Sequence, residues 1–104
     1  MPRSGSEQAG RRPVVVVSHN GLNQTSEWMS IIVIPLSTSK LQAKREPTVV
    51  ALPGVAAGLP KPSVAVCHQV TTLDRAKLNR CIGTLPVDLL NDVDRGLKAA
   101  LDLD

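Results

Sequence analysis

Four valines in unbroken succession, Val14 to Val17, stand near the start of the chain, and residues 13–18 read as a strand. A continuous β-branched run, rather than an alternating one, implies a strand buried on both faces. The next apolar stretch, Trp28 to Leu36, reads as a second, longer strand. Val49, Val50 and Leu52 carry a third over 47–52, and residues 63–70 form a fourth. A short fifth strand or extended connector covers 80–85. The intervening segments are polar or turn-rich. Residues 1–12 read as loop, 19–26 as a turn or loop signalled by Asn20-Gly21, and 37–46 as a basic loop. Residues 53–62 are a Gly/Pro/Ala loop with turns at Pro53-Gly54 and Gly58, and 72–78 suit a short helical turn.

The period then changes. Val87, Leu90, Val93, Leu97, Ala100 and Leu101 recur at three- and four-residue steps, which predicts one apolar stripe of a helix over 86–102. Pro86 suits its first turn. Asp88 and Asp92 favour the N-terminal half against the helix dipole, whereas Asp102 and Asp104 oppose it, so fraying is expected there. Gly96 costs such a helix about 1 kcal/mol relative to Ala and suits a close approach by a neighbour. Several short strands and one terminal helix predict a mainly β chain with a C-terminal helix (α+β). The expected form is a small, strongly curved antiparallel sheet or partly open barrel. Length predicts a single domain over 1–104: loop to residue 12, strands and loops over 13–85, then the helix.

Composition adds three constraints. Trp28 is the only aromatic residue, so the core must be built from Val, Leu, Ile and Ala, and burial against a second copy of the chain is plausible. The net charge of +3 is uneven: residues 1–86 carry ten Lys/Arg against four acids, and residues 87–104 carry two against five. A basic body of this kind suits an anionic partner, although an ordinary solvated surface has the same composition. Cys67 and Cys81 match no metal-binding spacing, and Cys67 lies in an apolar run where a thiol behaves as a small buried hydrophobe. The apolar runs are too short to span a bilayer and the N-terminus lacks an apolar signal segment. A cytoplasmic protein with no membrane partner is expected.

The motifs GSEQAGRRPVVVVS, PLSTS, LPKPSVAVCHQVTTLDRAKL and IGTLP, in that order and followed by an amphipathic helix, resemble the MazF/PemK toxins of bacterial type II toxin–antitoxin pairs, from Gly5 to the end of the chain. The resemblance implies an SH3-like barrel with a terminal helix, acting as a homodimer. It implies metal-independent cleavage of single-stranded RNA (mRNA or rRNA) at short sequences, without a cofactor, and neutralisation by a cognate antitoxin. Relatives carry an additional strand ahead of the GSEQ segment, so the barrel is expected to be incomplete at its N-terminus and either less stable for it or paired at that edge with another chain. Alternatives remain: a catalytically inactive truncated relative that only binds antitoxin, or a poison directed at DNA gyrase.

Such a nuclease uses the 2′-OH of its substrate as nucleophile. It needs a proton acceptor, a proton donor and hydrogen-bond donors for the phosphoryl oxygens. By the resemblance Arg12 is a main catalytic residue, a phosphate clamp and a candidate acid. Ser37 of PLSTS is the hydroxyl that contacts the scissile phosphate, with Thr38 one residue away as the other choice. Glu7 is implied as a base, as an ion-pair partner orienting Arg12, as a shaper of its loop, or as a contact for basic residues of the antitoxin. Gln8, Arg11, His19, Thr38, Lys40 and Lys44 are the candidate RNA-binding residues. From the residues alone, Ser37 suits a turn hydroxyl bonded to its own backbone, His19 an exposed turn, and His68 a strand histidine bonded to backbone. Asp74 reads as the start of a short helical turn, because Thr71 stands where one branch of the family has the arginine that would pair with this acid. With no Phe or Tyr, aromatic base stacking is scarce and sequence choice falls to hydrogen bonds with splayed bases.

Overall fold

The computed structural model of the 104-residue chain describes residues 5–9, 12–39, 44, 46–54, 58–59 and 61–103, with 5–9, 79 and 80 described by backbone alone. The valine run forms β2 (Arg12–Val16), one member of a seven-stranded antiparallel sheet that is not closed into a barrel. The segment before it was expected to be loop. Instead Gly5–Ala9 is a strand, β1, whose partners include Ala9 with Arg12 and Ser6 with Val15. Only two residues separate Ala9 from Arg12, so the polar GSEQA stretch turns straight back on the valines as a hairpin partner. Its composition hid this, because strand propensity reflects what a residue packs against more than an intrinsic preference. On its other edge β1 pairs β7 (Leu78–Thr84), with register shifts on either side of Glu7.

β3 (Ser30–Ser37) is the strand on which the sheet bends. One edge pairs β2, from Val14 opposite Pro35 to Val16 opposite Val33. The other edge is divided. Ser30 to Val33 pair β6 (Thr71–Asp74), while Leu36 and Ser37 pair β5 (Ser63–Val66), which continues to β4 (Val49–Leu52). The burial of β3 changes with this division: Ile31 and Val33 are buried at one end, Ile34 and Leu36, on the opposite face, at the other.

Two clusters follow. Val15, Ile34, Leu36, Val50, Leu52, Ala65 and Cys67 lie on one face beneath α2 (Val87–Leu101), and Val14, Val16, Ile31 and Val33 lie on the other with Leu73 and Leu78. The valine strand therefore feeds both, as its unbroken run requires. Val15 and Val16 are fully buried, each worth about 1.5–3 kcal/mol relative to exposure.

Other boundaries differ from expectation for local reasons. Asn20-Gly21 opens a short helix, α1 (Asn20–Asn23), capped by His19, whose Nδ1 accepts the Gly21 N–H at 2.9 Å. The fourth strand ends at Val66, and Cys67–Gln69 turn into a 3-10 helix. Residues 71–74 are β6, although 72–74 were expected within a helical turn, and the turn is confined to Arg75–Lys77, where Asp74 caps it by accepting the Ala76 N–H at 2.9 Å. In α2 the buried face is carried by Leu89, Val93, Gly96, Leu97 and Ala100, while Val87 and Leu101 are exposed. Gly96 sets that rotation. A Cβ there would lie 2.7 Å from Cys67 Sγ and 2.9 Å from Val50 Cγ2, so the helix rests on β4 and the 3-10 turn at its glycine. Pro86 is the N-cap residue rather than the first helical one, and Asp102 ends the helix in the left-handed conformation.

Candidate functional site

The face of the sheet opposite α2 changes character at one end of β2 and β3. Side chains alternate along a strand, so Arg12 shares a face with Val14 and Val16, and Ser37 shares one with Val33 and Pro35. The β2–β3 register, Val14 opposite Pro35, brings Arg12 level with Ser37 when carried two residues further. The buried second cluster thus gives way to a cation and a hydroxyl side by side at the strand ends. Arg12, Pro13, Leu36, Ser37, Thr38, Ser39 and Ser63 line a cleft of about 400 Å³ there.

Within it, Ser37 Oγ accepts the Ser39 N–H at 3.0 Å. The turn bond expected from the residues alone therefore exists, and it is compatible with a site role. A hydroxyl whose oxygen is held by a backbone donor has a fixed position and retains its proton for a ligand. Arg12 is exposed, and no described carboxylate pairs with it. Ser63 opens β5 and donates to the Lys61 carbonyl at 3.2 Å.

The cleft continues into a second, of about 460 Å³, that shares Ser37, Thr38, Ser39 and Ser63 and adds Ala51, Leu52, Pro53, Pro62 and Val64. A single cross-strand row forms its floor: Ser37 is opposite Val64, and Val64 is opposite Ala51. Residues facing each other across a ladder point to the same side, so Arg12, Ser37, Val64 and Ala51 mark out one groove across four strands. The even-numbered residues of β4, Val50 and Leu52, belong to the core under α2.

The other sequence candidates fall in different places. Thr38 lines both clefts, next to Ser37. The backbones of Glu7 and Gln8 lie level with Val14 and Pro13 on the strand adjoining β2. Arg11 and Lys40 lie outside the described residues. Lys44 is exposed and lines neither cleft. His19 lies past the far end of β2, roughly 20 Å of extended chain from Arg12, where it caps α1. His68 sits in the 3-10 turn, and its Nδ1 meets Thr48 Oγ at 2.7 Å, a side-chain partner rather than the backbone one expected.

Arg75 is half-buried and engaged with backbone carbonyls. Its guanidinium donates to the carbonyls of Trp28 at 2.8 Å, Asn23 at 3.0 Å, and Leu22 and Thr25 at 3.1 Å each, fastening the α1 segment to the turn after β6. Cys67 is buried, and desolvation pushes its thiol up to about 11, which leaves it unreactive at neutral pH. Among the described residues no three His, Cys, Asp or Glu side chains gather in a metal-binding cluster, and no helix is long and apolar enough to cross a membrane. Sequence reasoning missed Ser63, Val64 and Ala51. The only signal was a serine opening a strand directly after Pro62, and strand pairing was needed to bring it beside Ser37.

Comparison with known proteins places the chain in a family. A family model of PemK-like, MazF-like toxins of type II toxin–antitoxin systems matches residues 1–101. Endoribonuclease MazF6 of Mycobacterium tuberculosis (strain ATCC 25618 / H37Rv) is 34% identical over 102 residues, covering 98% of this chain and 88% of the relative. The solved Mycobacterium tuberculosis toxin MazF-mt6 superposes with a TM-score of 0.78 at 26% identity, covering 100% of this chain and 99% of that one. An endoribonuclease in complex with its cognate antitoxin from mycobacterial species shares the fold, with a TM-score of 0.80 at 22% identity, covering 100% of this chain and 98% of that one. Matched over nearly its whole length, the chain belongs to the PemK-like, MazF-like toxins of type II toxin–antitoxin systems.

Proposed function

We propose that this toxin is a metal-independent endoribonuclease that cuts single-stranded messenger or ribosomal RNA at short sequences. It works in the cytoplasm as a homodimer and is held in check by a cognate antitoxin. The observation that carries the reading is that Arg12 and Ser37, distant in sequence, line one cleft at the ends of paired strands. The naming of its curated relatives as endoribonucleases supports the reaction class.

A phosphodiester fits this pair chemically. The guanidinium of Arg12 presents a planar fork that donates two parallel hydrogen bonds to the non-bridging oxygens. Ser37, its oxygen held by the Ser39 N–H, donates its own proton to the same phosphate. As the substrate's 2′-oxygen attacks phosphorus, negative charge grows on those oxygens, and donors already in place stabilise it without reorganisation. Glu7 is the only carboxylate in strands β1 to β5 and is assigned the 2′-OH proton. The new O2′–P bond forms as the P–O5′ bond breaks. The leaving O5′ takes a proton from a water molecule, and the products are a 2′,3′-cyclic phosphate and a 5′-hydroxyl.

The purified full chain, incubated with single-stranded RNA in excess EDTA, is expected to yield fragments with cyclic phosphate at one end and 5′-hydroxyl at the other. Cleavage only on restoring a divalent metal, or 5′-phosphate ends, contradicts the mechanism. Failure to cleave at all while antitoxin still binds returns the inactive-module alternative, and trapped DNA breaks in expressing cells return the gyrase poison.

A further inference from the structure

We infer that the chamber beyond Ser37 is a nucleobase subsite, which seats the base flanking the phosphate held at Arg12 and sets base preference at that one position. This rests on the ribonuclease reading and goes beyond it, since nothing in the phosphate chemistry requires such a chamber.

Placement comes first. The row Ser37–Val64–Ala51 steps across three paired strands, and at about 4.8 Å per strand Ala51 lies roughly 10 Å from Ser37. An RNA chain lying across the strands with its phosphate at Arg12 and Ser37 therefore carries a neighbouring base over Val64 and Ala51. The volume, about 460 Å³, falls within the ordinary range for small-molecule sites.

The chemistry is divided in the same direction. None of the nine described residues lining it is charged, so among the described residues nothing in the chamber holds a second phosphate. Ala51, Pro53, Pro62 and Val64 give it apolar lining, and Ser37, Thr38 and Ser39 line both this chamber and the phosphate cleft. A base sets its face against the proline rings and Val64 and turns its polar edge toward the hydroxyls. The end wall is a product of close packing. A Cβ at Gly54 would lie 2.8 Å from the Lys61 carbonyl carbon, so the absence of one lets the Pro53 turn close on Lys61 and Pro62. Trp28, the chain's single aromatic residue, lies ahead of β3 at its opposite end, which leaves prolines and aliphatic groups to do the stacking.

The test is cleavage of an RNA pool randomised around the cut, with the new ends sequenced, by wild type, Ala51→Leu and Val64→Ala. Ala51→Leu narrows the chamber and Val64→Ala widens it, and thermal melts confirm that each is folded. Each variant is expected to cut with a base preference altered by roughly tenfold or more at one position beside the cleaved bond, the scale on which pocket size changes discrimination, and unaltered elsewhere. Wild-type cleavage with the same preferences in every folded variant overturns the subsite and leaves the ribonuclease reading intact. Unchanged preferences with weakened antitoxin binding overturn it in favour of a protein-docking role. A wild type that cuts nothing overturns the ribonuclease reading and the subsite together.

Discussion

Gly96 shows how one residue positions a whole face. Its position inside a helical pattern suggests a close approach, and that much is legible from the sequence alone. The approaching atoms are not, because Cys67 Sγ and Val50 Cγ2 come from strands and turns distant in sequence. Gly96→Ala gains about 1 kcal/mol of helix propensity. It also forces a methyl against two buried side chains, an overpacking that costs roughly 1–3 kcal/mol. The expected net effect in denaturant titration is a loss of stability, relieved in the double variant Gly96→Ala, Cys67→Ala. A gain in stability from Gly96→Ala alone contradicts the packing described. Ser37 is legible in a different sense. Its turn bond follows from the local sequence, whereas its place beside Arg12 depends on strand register.

At the scale of elements, the long apolar strands and the terminal helix follow from periodicity, and their register does not. β1 escapes a reading based on hydrophobicity because what defines it is pairing along both edges, with β2 and β7, and those partners are not local in composition. The Arg75 clamp escapes for a related reason: an arginine in a basic, turn-rich stretch looks solvated until a distant loop presents four carbonyls to it. The segment it holds is also pinned by a buried pair, since Asn23 Nδ2 donates to the Ser18 carbonyl at 2.7 Å and the Ser18 hydroxyl donates to the Asn23 side chain. Arg75→Ala removes several charge-assisted bonds at once but lets some of the carbonyls regain water. A loss of about 2–3 kcal/mol is expected in chemical denaturation. RNA cleavage by the folded variant is expected to persist, because the clamp sits at the end of β2 and β3 remote from Arg12. An unchanged midpoint contradicts the clamp.

For the molecule as a whole, the sheet has one face sealed by α2 and one that opens into a groove where the second cluster ends. The basic composition points to an anionic partner in general, and the proposed RNA path is narrower: from Arg12 to a chamber whose described lining carries no charge. Charge along the sequence could not supply that distinction, because Arg75 is occupied structurally and His19 caps a helix far from the cleft. The central claim is that a bidentate guanidinium at residue 12 stabilises the reacting phosphate. Single-turnover cleavage of one single-stranded RNA in EDTA, by wild type and by Arg12→Lys at matched folded concentrations, tests it most directly. Lysine keeps the charge and loses the planar fork, so a fall in the rate constant of roughly a hundredfold, with an unchanged melting temperature, is predicted. A rate for Arg12→Lys equal to that of the wild type would contradict the account.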